Sequence, residues 1–168
     1  MFESSQNASR VLIVDDDDLI IQSLRGLFTL ETDYEIYGFN EPEKALLEVE
    51  RRPIDLVISD FLMPRMNGVD FLKKVRELQP DATRILLTGF ADKENAIRAI
   101  NEVGLYHYLE KPWSNQDLLL LVRNALQHKS LRIQLSQKVS EFERLMREHS
   151  DLSSRHRSIQ RAAISRSR

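Results

Sequence analysis

The 168 residues contain no cysteine, which removes disulfides, thiolate metal sites and cysteine nucleophiles at once. Four scattered histidines, His107, His128, His149 and His156, offer no metal-ligand spacing. Glycine and proline number five each, and all ten precede residue 113, so the C-terminal third has no turn punctuation. Apolar runs stop at about five residues, far short of a membrane span. The leader MFESSQNASR has no apolar signal core. A cytoplasmic protein is the expectation.

What is present is a chain 42% hydrophobic and 30% charged, enough for one ordinary domain plus an extension. The net charge of −2 hides an asymmetry. Residues 129–168 hold ten Lys/Arg and four Asp/Glu, leaving 14 basic and 22 acidic residues in 1–128. An acidic body therefore carries a basic tail. The expected divisions are a disordered leader (1–9), a folded domain (10–128), a helical extension (129–152) and a disordered basic end (153–168).

Within the body, VLIV (11–14), YEIYGF (34–39), DLVIS (55–59), RILLT (84–88) and YHYLE (106–110) read as strands. Runs apolar throughout suit a parallel sheet buried on both faces. Amphipathic segments separate them, with Asn40 ahead of Pro42 and Glu43, and Ser114 ahead of Asp117, as helix-start signals. Five strands alternating with helices imply a doubly wound α/β domain. The pattern alone leaves strand order open.

Polar residues begin where the strands end. Asp15 and Asp16 follow the first strand, Asp60 the third, Thr88 and Gly89 close the fourth, and Lys111–Pro112 follows the fifth. In an open parallel sheet these carboxyl ends share one edge, where ligands bind. Polar residues begin at most strand ends, so any one position means little. Three carboxylates, a hydroxyl and an ammonium together are harder to dismiss. Two carboxylates ~5 Å apart repel by about 3 kcal/mol at an effective dielectric near 20, so one must protonate or a cation must compensate. Oxygen donors without Cys or His select a hard cation, Mg²⁺ ahead of Mn²⁺. The set suits phosphoryl transfer, which asks mainly for positioning and charge neutralisation.

These residues resemble the receiver domain of a two-component response regulator. The matching stretches are the Asp15–Asp16 pair, SDFLMPRMNG (59–68), LLTG (86–89) and YLEKPW (108–113). The resemblance implies a five-stranded parallel sheet in order 2-1-3-4-5, the flavodoxin-like receiver fold. It implies Asp60 as phosphoacceptor, serving a histidine kinase or phosphotransfer protein as donor. Mg²⁺ would be held by Asp15, Asp16, Asp60 and the backbone carbonyl of Leu62. Thr88 and Lys111 would bind the phosphoryl group, Lys111–Pro112 would be a cis peptide, and Tyr108 would be the aromatic switch. Gly89 would leave space above the acceptor. Leu62 and Phe90, both apolar, would fail to orient an attacking water, so slow self-dephosphorylation is expected. Tyr106 would join Tyr108 in one aromatic patch, and His107 would pack on the opposite face.

Two rivals remain. VLIVDDD also fits the h-h-h-h-D-x-D opening of haloacid-dehalogenase-like phosphatases, with Asp15 as nucleophile and Asp17 as its partner. That reading lacks an acidic pair after the lysine and leaves Asp60 unexplained. A pseudo-receiver that folds without being phosphorylated is the other. No separate enzymatic domain is visible. In the tail, Leu135, Val139, Phe142, Met146 and His149 keep a 4-3-4-3 spacing for about two heptads, which reads either as a coiled-coil seam or as incidental apolar residues on a solvated helix. A second stripe, Leu145, Leu152 and Ile159, drifts away from it. A homodimer through this helix, or through the face of the fourth helix, fifth strand and fifth helix, is the expected assembly. Basic composition alone does not make the end a nucleic-acid binder. The pattern is similar to receivers joined to cyclic-dinucleotide enzymes or transcription activators, so a missing C-terminal effector and a stand-alone regulator both remain open.

Overall fold

Strand β1 (Arg10–Val14) is apolar after its first residue, and its four following side chains are buried. It pairs in parallel with β2 (Glu35–Phe39) on one side and β3 (Leu56–Asp60) on the other. Strand β4 (Thr83–Thr88) joins β3, and β5 (His107–Glu110) joins β4, giving the order β2-β1-β3-β4-β5. The computed structural model describes residues 8–89, Glu94, Ile97 and residues 102–165, with side chains through Ile159. Phe90 and most of the leader lie outside the described residues. Ser9 is within them, and its carbonyl accepts the Glu35 N–H at 3.0 Å.

The period-2 alternation of the central strands loads both faces. Leu12, Val14, Val57 and Leu86 point to one side, against Ala45 and Val49 of α2 (Pro42–Arg51) and Phe71, Leu72 and Val75 of α3 (Gly68–Leu78). Val11, Ile13, Ile58, Ile85 and Leu87 point to the other. There they meet Leu24 and Phe28 of α1 (Asp18–Glu31), and Leu118, Val122 and Ala125 of the C-terminal helix (Asn115–Ser165). Each Val, Leu, Ile or Phe side chain among these stabilises the fold by roughly 1.5–3 kcal/mol on burial. This doubly wound arrangement pins the strand ends that carry the polar residues.

The chain divides into two units, Met1–Lys129 and Ser130–Arg168. Residues 153–165 are helical rather than disordered, because the C-terminal helix runs to Ser165. Nothing after Pro112 breaks it: glycine and proline are absent, and its Leu, Gln, Arg and Ala favour helix. Asn40 does not cap α2. The cap position is Glu41, without a side-chain bond, and Asn40 Nδ2 instead donates to Asp18 Oδ1 at 3.1 Å. Ser114 does cap its helix, accepting the Asp117 N–H at 3.0 Å. No helix among the described residues is long and apolar enough to cross a membrane.

Candidate functional site

The sheet's carboxyl edge gathers what the strands deliver. Asp15 follows β1, only 1% exposed, and its N–H donates to the Phe39 carbonyl at 3.2 Å. Asp16, next in the chain, is exposed. Asp60 ends β3 at 7% exposure, and Thr88 ends β4 fully buried. Carboxylate oxygens of Asp15, Asp16 and Asp60 lie within 4.8 Å of one another. Lys111, just past β5, reaches in with Nζ 2.7 Å from Asp60 Oδ1 and 3.3 Å from Asp15 Oδ2. Its backbone N–H donates to the Thr88 carbonyl at 2.9 Å, tying the end of β5 to that of β4. The Lys111–Pro112 bond is cis.

Burial pushes the Asp15 carboxyl above its ordinary value, and the nearby Asp60 charge adds to this. The Asp17 N–H and Lys111 oppose the rise without cancelling it. For Lys111, burial alone would lower the ammonium, but its bond to Asp60 and the charge of Asp15 outweigh that and raise it. The lysine is therefore held as a cation inside an anionic cup.

Local structure explains the precision of the cup. Asp17 N–H donates to Asp15 Oδ1, and Asp17's own carboxylate caps α1 by accepting the Leu19 N–H, both at 2.9 Å. Asp17 is thereby committed to the helix start, which weakens the phosphatase reading that needs it beside Asp15. Below Asp60, Gly68 donates its N–H to the Phe61 carbonyl at 2.8 Å. A Cβ on Gly68 would stand 2.0 Å from the Asp60 carbonyl oxygen. The α3 start thus presses against the backbone of Asp60, and only glycine fits there. Asn67 caps α3, accepting the Asp70 N–H at 2.9 Å. Sequence reasoning quoted Asn67–Gly68 within a motif but gave them no role; the Asn-Gly pair ahead of an amphipathic run was the available signal.

Other expected residues fall as follows. Thr88 Oγ1 donates to the Gly89 carbonyl at 3.1 Å. Leu62 is 61% exposed and projects from the β3–α3 loop. Tyr108 is partly buried against the cluster containing Leu86 and Val103. It does not form an aromatic patch with Tyr106: its ring partner is His107, at 5.7 Å, while Tyr106 stacks obliquely on His128 at 5.9 Å. His107 is exposed rather than packed, because β5 lies at the sheet edge where the outward face is open. A cleft of about 380 Å³ opens beside the acidic group, bounded by Asp16, Asn40, Glu41, Pro64 and Arg65.

An acidic, lysine-bridged cup on the carboxyl edge of a 2-1-3-4-5 parallel sheet defines an α/β module of the doubly wound class. A family model described as the response regulator receiver domain matches residues 11–123. The hydrogenase transcriptional regulatory protein HoxA of Cupriavidus necator is 34% identical over 128 residues, covering 76% of this chain and 26% of that protein. Regulatory protein AtoC of Escherichia coli K12 is 35% identical over 125 residues, covering 74% and 26%. Among solved structures, the signal receiver domain of an HD domain-containing protein from Pseudomonas fluorescens Pf-5 is 38% identical with a TM-score of 0.70, covering 74% of this chain and 98% of that one. The chain belongs to the receiver domain family of two-component response regulators. It spans about a quarter of the length of three curated relatives it matches (26%, 24% and 26%).

Proposed function

We propose that Asp60 is the phosphoacceptor of this receiver, with a histidine kinase or phosphotransfer protein as donor. The observation that carries this is the Lys111 ammonium 2.7 Å from Asp60 Oδ1 at the mouth of the three-carboxylate group. An Asp60 carboxylate oxygen attacks phosphorus, the bond from phosphorus to the donor breaks, and an acyl phosphate forms. Asp15, Asp16, Asp60 and the Leu62 carbonyl fit a hard divalent cation, Mg²⁺ ahead of Mn²⁺, since every donor is oxygen. When bound, that cation offsets the charge of the carboxylates and the phosphoryl oxygens. Lys111 pairs with a phosphoryl oxygen, exchanging one anionic partner for another without moving far.

Thr88 then turns its hydroxyl from the Gly89 carbonyl toward the phosphoryl group, and Tyr108 fills the space released. The population shift reaches the surface around β5 and the C-terminal helix. It is read out by pairing of two copies through that surface, the C-terminal helix or both, or by an effector joined downstream. The setting is cytoplasmic.

The test is intact mass after incubation with acetyl phosphate and Mg²⁺. A gain of one phosphoryl group, lost in Asp60→Asn, is the expected outcome. An unchanged mass would instead favour a pseudo-receiver acting as a scaffold, and a gain that survives in Asp60→Asn would move the acceptor elsewhere.

A further inference from the structure

The C-terminal helix carries a seven-residue rank that the acceptor chemistry leaves unused. His128, Leu135, Phe142, His149 and His156 stand seven apart, so three of the four histidines share one line. His128 belongs to the receiver unit, its ring against Tyr106. Beyond it, Leu135 and Phe142 are 66% and 63% exposed. A second rank, Leu131, Lys138, Leu145, Leu152 and Ile159, runs three residues after, or four before, members of the first, with Lys138 its one charged member. Leu152 and Ile159 are 64% and 68% exposed, so this rank is open as well.

A strict seven-residue period on an α-helix is satisfied by a partner helix that supercoils with it. Taking the histidine rank as a and the leucine rank as d extends the seam from Leu131 to Ile159, with Lys138 at the one charged d position and an unbroken d rank from Leu145 onward. The alternative centred on Val139 and Met146 runs into Ser153 and Gln160, so it holds only about two heptads.

We propose that residues 131–159 pair with the same segment of a second copy as a parallel, in-register coiled coil, with His149 and His156 each facing its own counterpart and making the far half of the pair acid-labile. This rests on the reading above that the helix joins two copies. The occupant is a second copy because the polarity pattern is self-complementary. Only the in-register parallel alignment places both histidines opposite histidines. A one-heptad slip sets one His149 against Phe142, and antiparallel packing sets imidazoles against leucines of the d rank. Matched polar a-layers fix register in this way, at some cost in stability.

Two neutral imidazoles in one layer can share a hydrogen bond, one N–H donating to the other ring's bare nitrogen. An imidazole takes up a proton as pH falls through about 6.5, and two cations then share the layer. Along its own helix, the positions three and four residues from His149 hold Leu145, Met146, Leu152 and Ser153, and those three and four after His156 hold Ile159 and Gln160, while Glu148 precedes the first histidine and Arg155 and Arg157 bracket the second. Across the seam, the partner's Glu148 would lie beside His149 and the partner's Arg155 beside His156. Glu148 softens the first layer and Arg155 aggravates the second, so opening starts at His156.

The absence of native cysteine makes single-cysteine variants clean reporters. In the full chain under a mild thiol oxidant, Leu145→Cys and Leu152→Cys should form covalent dimers faster than Met146→Cys. Faster cross-linking of Met146→Cys, or dimers by light scattering without cross-links at 145 or 152, would overturn the register while leaving dimerisation intact. Monomers at every concentration, phosphorylated or not, would overturn the pairing itself, whereas the acetyl phosphate assay would still judge Asp60 alone. For the histidines, the dimer dissociation constant should rise at least tenfold from pH 7.5 to 5.5 in the unmodified chain. The His149→Leu/His156→Leu variant should hold within about twofold. Equal pH dependence in both would refute the histidine layers.

Discussion

Replacing Asp15 with asparagine should stabilise the metal-free protein, although Asp15 lies in the most constrained part of the site. At a separation of no more than 4.8 Å and an effective dielectric near 20, the Asp15–Asp60 repulsion is at least about 3.5 kcal/mol. Asp16 is exposed, so its repulsion is screened toward the value in water, about 1 kcal/mol. Against these stands the Lys111 attraction, about 5 kcal/mol at 3.3 Å on the same scale. The charge–charge sum thus nearly vanishes, and desolvation of a carboxylate only 1% exposed decides the sign. Asparagine keeps the acceptor for the Asp17 N–H and sheds the charge, for a net gain of about 2 kcal/mol and a Tm rise of about 6 °C.

The raised Asp15 pKa requires the same direction. A group whose folded value lies above its unfolded one gives stability that is present below pH 3.8 and lost as pH rises through the folded value. The advantage of Asp15→Asn should therefore vanish at pH 3.8 and below and grow above it. Thermal melts in EDTA across pH 3.5–8 read this directly. Saturating Mg²⁺ should reverse the order at neutral pH, since a ligand at 100 times its Kd adds about 2.7 kcal/mol to the form that binds it. An Asp15→Asn protein that melts below the parent in EDTA at pH 7.5 would refute the reasoning.

Three further outcomes test neighbouring parts. The acyl phosphate should persist for minutes or longer, and Leu62→Asn should shorten its life about tenfold by holding a water; decay within seconds in the parent, followed by phosphorylated mass, would contradict this. Gly68→Ala should cost about 2 kcal/mol or more in urea unfolding and slow phosphorylation, because its Cβ collides with the Asp60 carbonyl at 2.0 Å; unchanged stability would remove glycine's assigned role. Lys129, 12% exposed with Nζ 2.7 Å from Asp55 Oδ1, anchors the last residue of the receiver unit to the start of β3. A double-mutant cycle with Lys129→Ala and Asp55→Asn should return a coupling of about 1 kcal/mol, and additivity would show the pair to be idle.

The fold was legible because the signals that specify it are local. Apolar runs at VLIV and LVIS, separated by helical periodicity, leave a parallel layered sheet as the economical solution, and the strands formed within a residue or so of those runs. The acidic group was legible because strand ends and chemistry coincide at Asp15, Asp16 and Asp60. What resisted reading depends on contacts between distant segments. Asn40 looked like a cap but bonds to Asp18, 22 residues earlier in the chain. Tyr106 looked like a partner of Tyr108 until the C-terminal helix supplied His128. The helical end was misjudged because its charge suggests disorder, while the lack of any breaker decides the backbone.

If Asp60 accepts a phosphoryl group as proposed, the same balance of terms would let the site act as a switch. Asp15 carries a desolvation penalty that the metal-free protein meets only in part through Lys111. Lys111 is shared between Asp15 and Asp60, so no carboxylate in the cup holds it exclusively. Thr88 spends its hydroxyl on the adjacent Gly89 carbonyl, a bond of about 1 kcal/mol that is readily exchanged. Each group is satisfied just enough to fold and has a better partner available once a cation and a phosphoryl group enter. A fully satisfied cup would be more stable and would have nothing to gain from phosphorylation, so under the proposed function the stability forgone at Asp15 would be free energy available to bias the Thr88–Tyr108 pair.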